Sequence, residues 1–198
     1  MSADIRLILG ETMATLPTLD PGIAALALCD PPFNVSGGKK NIDRSKWTTK
    51  AARSRVLVRD FGEWDREWPT NGAFWGFMRG WMTQVKRVLR PGGWLVGFCT
   101  VEATGQLTRV GEKAGLKKCQ CFTWAKLNPA PGFVNAKMYS YGVEAAVMFR
   151  KPGSGVIWHA PIGTPNWLST PACGGSERLA HPCQKPLAIL EPFIRHLT

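Results

Sequence analysis

Asp30, Pro31, Pro32 and Phe33 stand side by side at the end of an apolar run, and residue types in that order suit one kind of chemistry. A carboxylate and an unclaimed main-chain carbonyl can together accept the two hydrogens of an exocyclic amine, while an aromatic plate stacks on the ring that carries it. Pro31 and Pro32 fix φ and supply no N–H, so the turn is stiff and its carbonyls stay free. Held in this way, the amine turns its nitrogen lone pair toward an electrophile. No strong base is required, because the proton can leave after the nitrogen has become positive.

What precedes these four residues says where they stand. Ile23 to Cys29 lack polar alternation and lie between Pro21-Gly22 and the two prolines, the pattern of a strand buried in parallel sheet. Asp30 is then expected at the strand's carboxyl end, the edge where open α/β sheets bind ligands.

Asp30-Pro31-Pro32-Phe33 resembles the Asp-Pro-Pro-aromatic motif of the amino-methylating DNA methyltransferases, which modify adenine N6 or cytosine N4 using S-adenosylmethionine. About 150 residues later, His181-Pro182-Cys183-Gln184-Lys185-Pro186-Leu187 resembles, nearly residue for residue, the cofactor-flanking motif of the same family. Between them, Trp124-Ala125-Lys126-Leu127-Asn128 is similar to the family's Trp-x-Lys-x-Asn segment, where the target base is approached. Their order matches the subgroup in which the catalytic motif precedes the cofactor-binding half.

The resemblance implies an α/β, Rossmann-like S-adenosylmethionine-dependent methyltransferase fold acting on double-stranded DNA, as in restriction-modification, with the target base flipped out of the stack. It gives catalytic roles to Asp30, Pro31, Pro32 and Phe33. It lines the cofactor with Glu11, Asp30, His181, Gln184, Lys185 and Pro186. Lys126 and Asn128 fall on the nucleic-acid side. An Asp at the head of the motif favours adenine N6, since cytosine enzymes more often carry Ser there. Two alternatives stay open: a nucleic-acid-binding subunit or truncated enzyme impaired in catalysis, and an adenine methyltransferase acting on RNA.

The rest of the composition agrees. A chain of 198 residues with 44% hydrophobic content suits one domain, 1–198, with a sizeable core. A net charge of +11 favours a polyanionic partner. Much of it lies in the polar stretch 36–69, where Lys39, Lys40, Arg44, Lys46, Lys50, Arg53, Arg55 and Arg59 surround Trp47. Such a basic loop behind the catalytic turn could neutralise phosphates; the alternative is a solvated loop. Six dispersed cysteines without a Cys-x-x-Cys pair fit reduced thiols in the cytoplasm, and the resemblance points to a bacterium or phage. No metal is expected: Cys119 and Cys121 read as packing residues, and His181, Cys183 and Cys173 make a poor ligand set. No run reaches the ~18 apolar residues of a membrane span, so no membrane partner is expected.

The positioning elements can be read in outline. Ile5 to Leu9 suggest a short strand, followed by a brief helix from Thr12 to Leu16, with Glu11 at its acidic start. Thr70-Asn71 caps a helix whose Phe74, Phe77, Met78, Trp81, Met82, Val85, Val88 and Leu89 recur at three- and four-residue steps. Arg90-Pro91-Gly92-Gly93 stops it and leads into a strand, Trp94 to Cys99. A helix from Val101 to Ala114 and strands over 118–125 and 143–149 follow. Residues 150–180, rich in Gly, Pro, Ser and Thr, carry Trp158 and Trp167 without a period, and fall where the family places target recognition. The closing helix starts at Pro186 and is expected to bury Leu187, Leu190, Ile194 and Leu197.

In the resembling subgroup the closing helix leads on to further strands and a glycine-rich cofactor loop, beyond Thr198. The expectation is therefore an incomplete sheet in which the strand before Asp30 exposes an apolar edge. A second chain, a missing C-terminal half or a replacement would cover it, and a homodimer is a further arrangement.

Overall fold

The computed structural model describes residues 5–34, 65, 68–129, 139–179, 181 and 183–198. Most of the basic stretch 36–69, including Lys39, Lys40, Arg44, Lys46, Lys50 and Arg53, lies outside them. Their elements in chain order are α1 (Thr12–Thr15), β1 (Ala24–Cys29), α2 (Asn71–Val88), β2 (Leu89–Cys99), α3 (Thr104–Lys113), β3 (Lys117–Lys126), β4 (Val143–Arg150), β5 (Trp167–Thr170) and α4 (Leu187–Leu197), with short 3-10 turns beside them. The strands form one sheet in the order β1-β2-β4-β3-β5. β1 runs parallel to β2 and β3 to β5, whereas β4 is antiparallel to both β2 and β3.

The sheet is covered on both faces, and the parity of its residues says by what. Along β2, Leu95 and Cys99 join the cluster under α2 and α3, while Trp94, Val96 and Phe98 join the cluster under α4. On β4, Ala145, Val147 and Phe149 face the first cluster and Ala146 and Met148 the second. A strand buried on both faces needs apolar residues at every position, which is why β2 and β4 read as continuous hydrophobic runs.

Thr70 starts α2 as expected, its hydroxyl accepting the Ala73 N–H at 3.1 Å, and Phe74, Met78, Trp81, Met82, Val85 and Val88 are buried. The exit differs from the expected stop. Leu89 is already extended, and Arg90 to Gly93 form a bulge inside β2, since the β1 pairing jumps from Ala24↔Leu89 to Leu26↔Trp94. Arg90 is biased away from helix by Pro91. Gly92 has φ 75°, and a Cβ there would meet the Ser154 carbonyl oxygen at 2.6 Å.

Four other expectations need correcting. Ile5 to Leu9 form no strand; Leu7 and Leu9 are fully open to solvent, and no described strand offers their N–H and C=O groups a ladder. β1 is only half-buried along its length because it forms one margin of the sheet, the apolar edge anticipated above. Residues 150–180 do contain a strand, β5, paired with Thr123 to Lys126. In α4 the buried stripe is Ile189, Phe193 and Leu197, while Leu187 and Ile194 are exposed. Phe193 sets that rotation by packing edge-on against Phe122 at 4.9 Å and Phe98 at 6.1 Å.

Cys121 is half-buried against the α2–α3 cluster, but Cys119 is exposed, because β3 bulges between Lys118 and Gln120. Among the described residues no helix is long and apolar enough to cross a membrane, and no group of three or more His, Cys, Asp and Glu could hold a metal ion.

Candidate active site

Three strand ends bring charge to one place. Asp30 follows β1 with the parity of Leu26 and Leu28, so it faces α4. Glu144 has the parity of Ala146 and Met148 at the start of β4, and Lys126 that of Phe122 and Trp124 at the end of β3. Because β4 is antiparallel to its neighbours, its beginning lies beside their ends. Lys185, one residue before the Pro186 that caps α4, descends into this corner.

The result is a chain of alternating charges. Lys126 Nζ lies 2.5 Å from Glu144 Oε1, Lys185 Nζ lies 3.2 Å from Glu144 Oε2, and the same Lys185 Nζ donates to Asp30 Oδ2 at 2.7 Å. Lys185 is the most deeply covered, with 6% of its side chain exposed, whereas Asp30 keeps 32% open. The ammonium also stands 5.2 Å from the Phe33 ring centroid and 5.4 Å from that of Phe98. Buried charges persist when paired, and here two cations meet two anions.

Their titration follows from these neighbours. Burial pushes the Asp30 carboxyl above the ordinary carboxylate range; Lys185 opposes the shift and Glu144 adds to it. For Glu144 burial would act the same way, but Lys185 and Lys126 outweigh it and hold the carboxyl below its usual value. Lys185 is raised despite its burial, because Asp30 and Glu144 both favour the ammonium. Burial, with the Asp30 charge adding to it, pushes the adjoining Cys29 thiol up to about 12, so no thiolate competes with Asp30 near neutrality.

The turn after Asp30 is held by a residue that sequence reasoning did not single out. Asp65, 1% exposed, accepts the N–H groups of Phe33 at 3.0 Å and Asn34 at 2.7 Å, and Asn34 takes φ 53°. Its carboxylate anchors the ring of Phe33 next to Asp30. Beside them opens a cavity of about 350 Å³ whose walls include Leu28, Cys29, Asp30, Phe98, His181, Cys183, Gln184, Lys185 and Leu190.

Asp30, Phe33, His181, Gln184 and Lys185 are thus brought together. Gln184 is engaged in scaffolding: its carbonyl accepts the Leu179 N–H at 2.7 Å and its amide donates to the Glu177 carbonyl at 2.8 Å. His181 Nδ1 accepts from the Cys183 N–H at 3.2 Å. Glu11 caps α1, accepting the Ala14 N–H at 2.7 Å. Asn128 clasps the main chain of Ala172, accepting its N–H at 2.6 Å, and so fastens the 150–180 segment to the end of β3. The Trp124 indole adds a bond to the Thr170 carbonyl at 3.0 Å. Glu144 was missed altogether; the available signal was a single acid opening the otherwise apolar run Val143-Glu144-Ala145-Ala146-Val147-Met148.

Comparison with known proteins places this geometry. The family model of the N6/N4 DNA methylases matches residues 24–198. The type II methyltransferase M2.DpnII of Streptococcus pneumoniae is 27% identical over 148 residues, which is 73% of this chain and 50% of that protein. The chain spans about half the length of the curated relatives it matches. Among solved structures, the cytosine-N4-specific PvuII DNA methyltransferase superposes with a TM-score of 0.65 at 16% identity, covering 96% of this chain and 69% of that one. The M1.HpyAVI–SAM complex gives a TM-score of 0.61 at 18% identity, covering 96% and 76%. The expected α/β methyltransferase fold is therefore the observed one.

Proposed function

The chain belongs to the N6/N4 DNA methylase family, and on that premise we propose that it methylates the exocyclic amine of a base in double-stranded DNA, adenine N6 in preference to cytosine N4. The carrying observation is the Asp30 corner itself, where a carboxylate beside an aromatic ring already grips a nitrogen donor, Lys185 Nζ, at 2.7 Å. A base amine presents the same kind of donor on a flat ring.

In this reading Asp30 accepts one amine hydrogen and the Pro31 carbonyl the other. Pro32 stiffens the turn, and Phe33 stacks on the base. The amine is hidden in duplex DNA, so the base must be extruded, at a cost of a few kcal/mol. The basic stretch 36–69 supplies cations toward phosphates, and Lys126, Asn128 and the segment 150–180 flank the approach to the base. The rate gain comes mainly from alignment, with the Asp30 carboxylate fixing the direction of the nitrogen lone pair.

The cavity beside Asp30 fits S-adenosylmethionine in kind: apolar walls from Leu28, Phe98 and Leu190 suit its hydrocarbon arms, and Asp30 with the Phe98 ring suits a cationic centre. When bound, that cofactor supplies an electrophilic methyl group on a sulfonium. His181, Gln184, Lys185 and Pro186 flank its place, Gln184 by bracing the loop at 177–179.

Incubating DNA with the protein and isotopically labelled S-adenosylmethionine, then analysing nucleosides by mass spectrometry, decides the matter. Labelled N6-methyladenine is expected. Label in N4-methylcytosine would reassign the base, and label in neither would overturn the reading.

A further inference from the structure

The corner that is to receive an amine is occupied by one of the protein's own. Lys185 Nζ donates to Asp30 Oδ2 and stands over the Phe33 ring, so its ammonium takes both the bond and part of the stacking space that a base would need. A base amine directed at that oxygen competes with Lys185 for the bond and for the space beside the Phe33 ring. Yet the ammonium is well buried and cannot be released without a counter-ion. Glu144 Oε2 lies 3.2 Å from it, and the other oxygen, Oε1, is already held by Lys126.

Resting on the functional reading above, we infer that Lys185 is a resident stand-in for the substrate amine, and that Glu144, oriented by Lys126, is the station to which its ammonium retreats when a base enters. Glu144 and Lys185 are positioning residues in this scheme; the reacting amine is touched by Asp30 and the Pro31 carbonyl. The exchange is one of hydrogen bonds only. Asp30 Oδ2 gives up an N–H of Lys185 and gains an N–H of the base, Lys185 keeps its proton and strengthens its contact with Glu144, and the corner holds two positive and two negative charges throughout. Between bases the arrangement keeps Asp30 paired and the turn in place.

The two lysine partners divide the work in a way that substitution can separate. Glu144 raises the Asp30 carboxyl and competes for Lys185, so Glu144→Gln removes both effects and should move Asp30 titration to lower pH, with Lys185 held on Asp30 more firmly. Lys185→Met removes the cation that opposes burial and should move Asp30 titration to higher pH. The other groups facing Asp30, namely His181, Cys183 and Cys29, stay in place in both variants.

The test is carboxyl-carbon NMR titration of Asp30 in the full chain and both variants, joined to observation of the Lys185 ammonium nitrogen in the unsubstituted chain as 2′-deoxyadenosine is added, with purine riboside, which has no exocyclic amine, as control. Opposite shifts of the Asp30 midpoint, and a Lys185 signal that moves with deoxyadenosine and not with purine riboside, are expected. Midpoints that shift in the same direction, or a Lys185 signal equally indifferent to both nucleosides while they contact Phe33, would overturn the exchange. Should a variant not fold, the nucleoside comparison decides alone. Absence of labelled methyl product, with the Lys185 response intact, would count against the functional reading and leave the exchange standing.

Discussion

The two faces of the sheet are built from the same strands and do opposite things. Toward α2 and α3 the strands present Leu95, Cys99, Ala145, Val147 and Phe149 to Phe74, Met78, Trp81, Met82, Val85 and Leu107, an apolar interior. It is tight enough that a Cβ on Gly111 would stand 2.4 Å from the Phe149 ring. Toward α4 the interior is aromatic, with Trp94, Phe98, Phe122, Trp124 and Phe193, and ends in the corner of Asp30, Lys185, Glu144 and Lys126. The difference teaches where stability and the proposed chemistry reside: one face contributes packing, and the other surrenders part of its packing to hold charges in a fixed order.

That division is most severely tested by the largest effect it predicts. Met82 has no exposed surface, and Met82→Ala should cost about 2–5 kcal/mol, read as a lower midpoint in urea, while the methyl-transfer rate per folded molecule stays the same. Asp30→Ala should reverse the pattern, lowering methyl transfer by about 10²–10³-fold through loss of the orienting acceptor. Its urea midpoint should move less than that of Met82→Ala, because Lys185 retains Glu144. A large stability loss in the second variant would erase the contrast.

Acid sharpens the comparison further. In the proposed reaction Asp30 accepts an amine hydrogen as a carboxylate, and burial holds its carboxyl above the ordinary range, so kcat/KM should fall about tenfold per pH unit below that raised value. Glu144 has the opposite sign: held low by Lys185 and Lys126 against its burial, it contributes stability above its unfolded value and loses it only as pH drops through the lowered one. Activity should therefore disappear while circular dichroism still reports a folded chain. Coincident loss of the two signals would contradict the assignment.

Sequence reasoning reached these faces unevenly, for physical reasons. The continuous apolar runs of β2 and β4, the Thr70 cap and the stripe on α2 are local patterns with local causes, and they could be read directly. Asp30 and Lys185 were joined only through the resemblance, since 155 residues separate them and no periodicity links them. Asp65 was missed because a lone acid in a polar stretch has no pattern, and only its burial marks it out; Glu144 offered a weak signal as the single acid opening an apolar run. Ile5 to Leu9 carry strand-forming side chains, but a strand is a pairing, and a sequence window does not contain the partner. The α4 stripe was misplaced because two helical rows, one through Leu187, Leu190, Ile194 and Leu197 and one through Ile189, Phe193 and Leu197, are both apolar. The aromatic neighbours Phe98 and Phe122 decide between them.

The smallest effect probes how far the packing face depends on local chemistry. Thr70 stands in extended conformation before α2 and accepts the Ala73 N–H at 3.1 Å, satisfying a donor that the first helical turn leaves open. Thr70→Ala should cost about 1 kcal/mol, whereas Thr70→Ser, which keeps the oxygen, should cost less, with urea midpoints as the measurement. Neither should alter methyl transfer per folded molecule, because α2 meets the sheet on the face opposite Asp30. If instead Thr70→Ala slowed transfer, the conduit by position would be Trp68, which packs against Phe74 and Phe77 at 5.7 and 4.5 Å and lies three residues after the Asp65 that anchors Phe33. The two faces would then be coupled, and the independence of packing and chemistry would hold only for substitutions deep within α2, such as that of Met82.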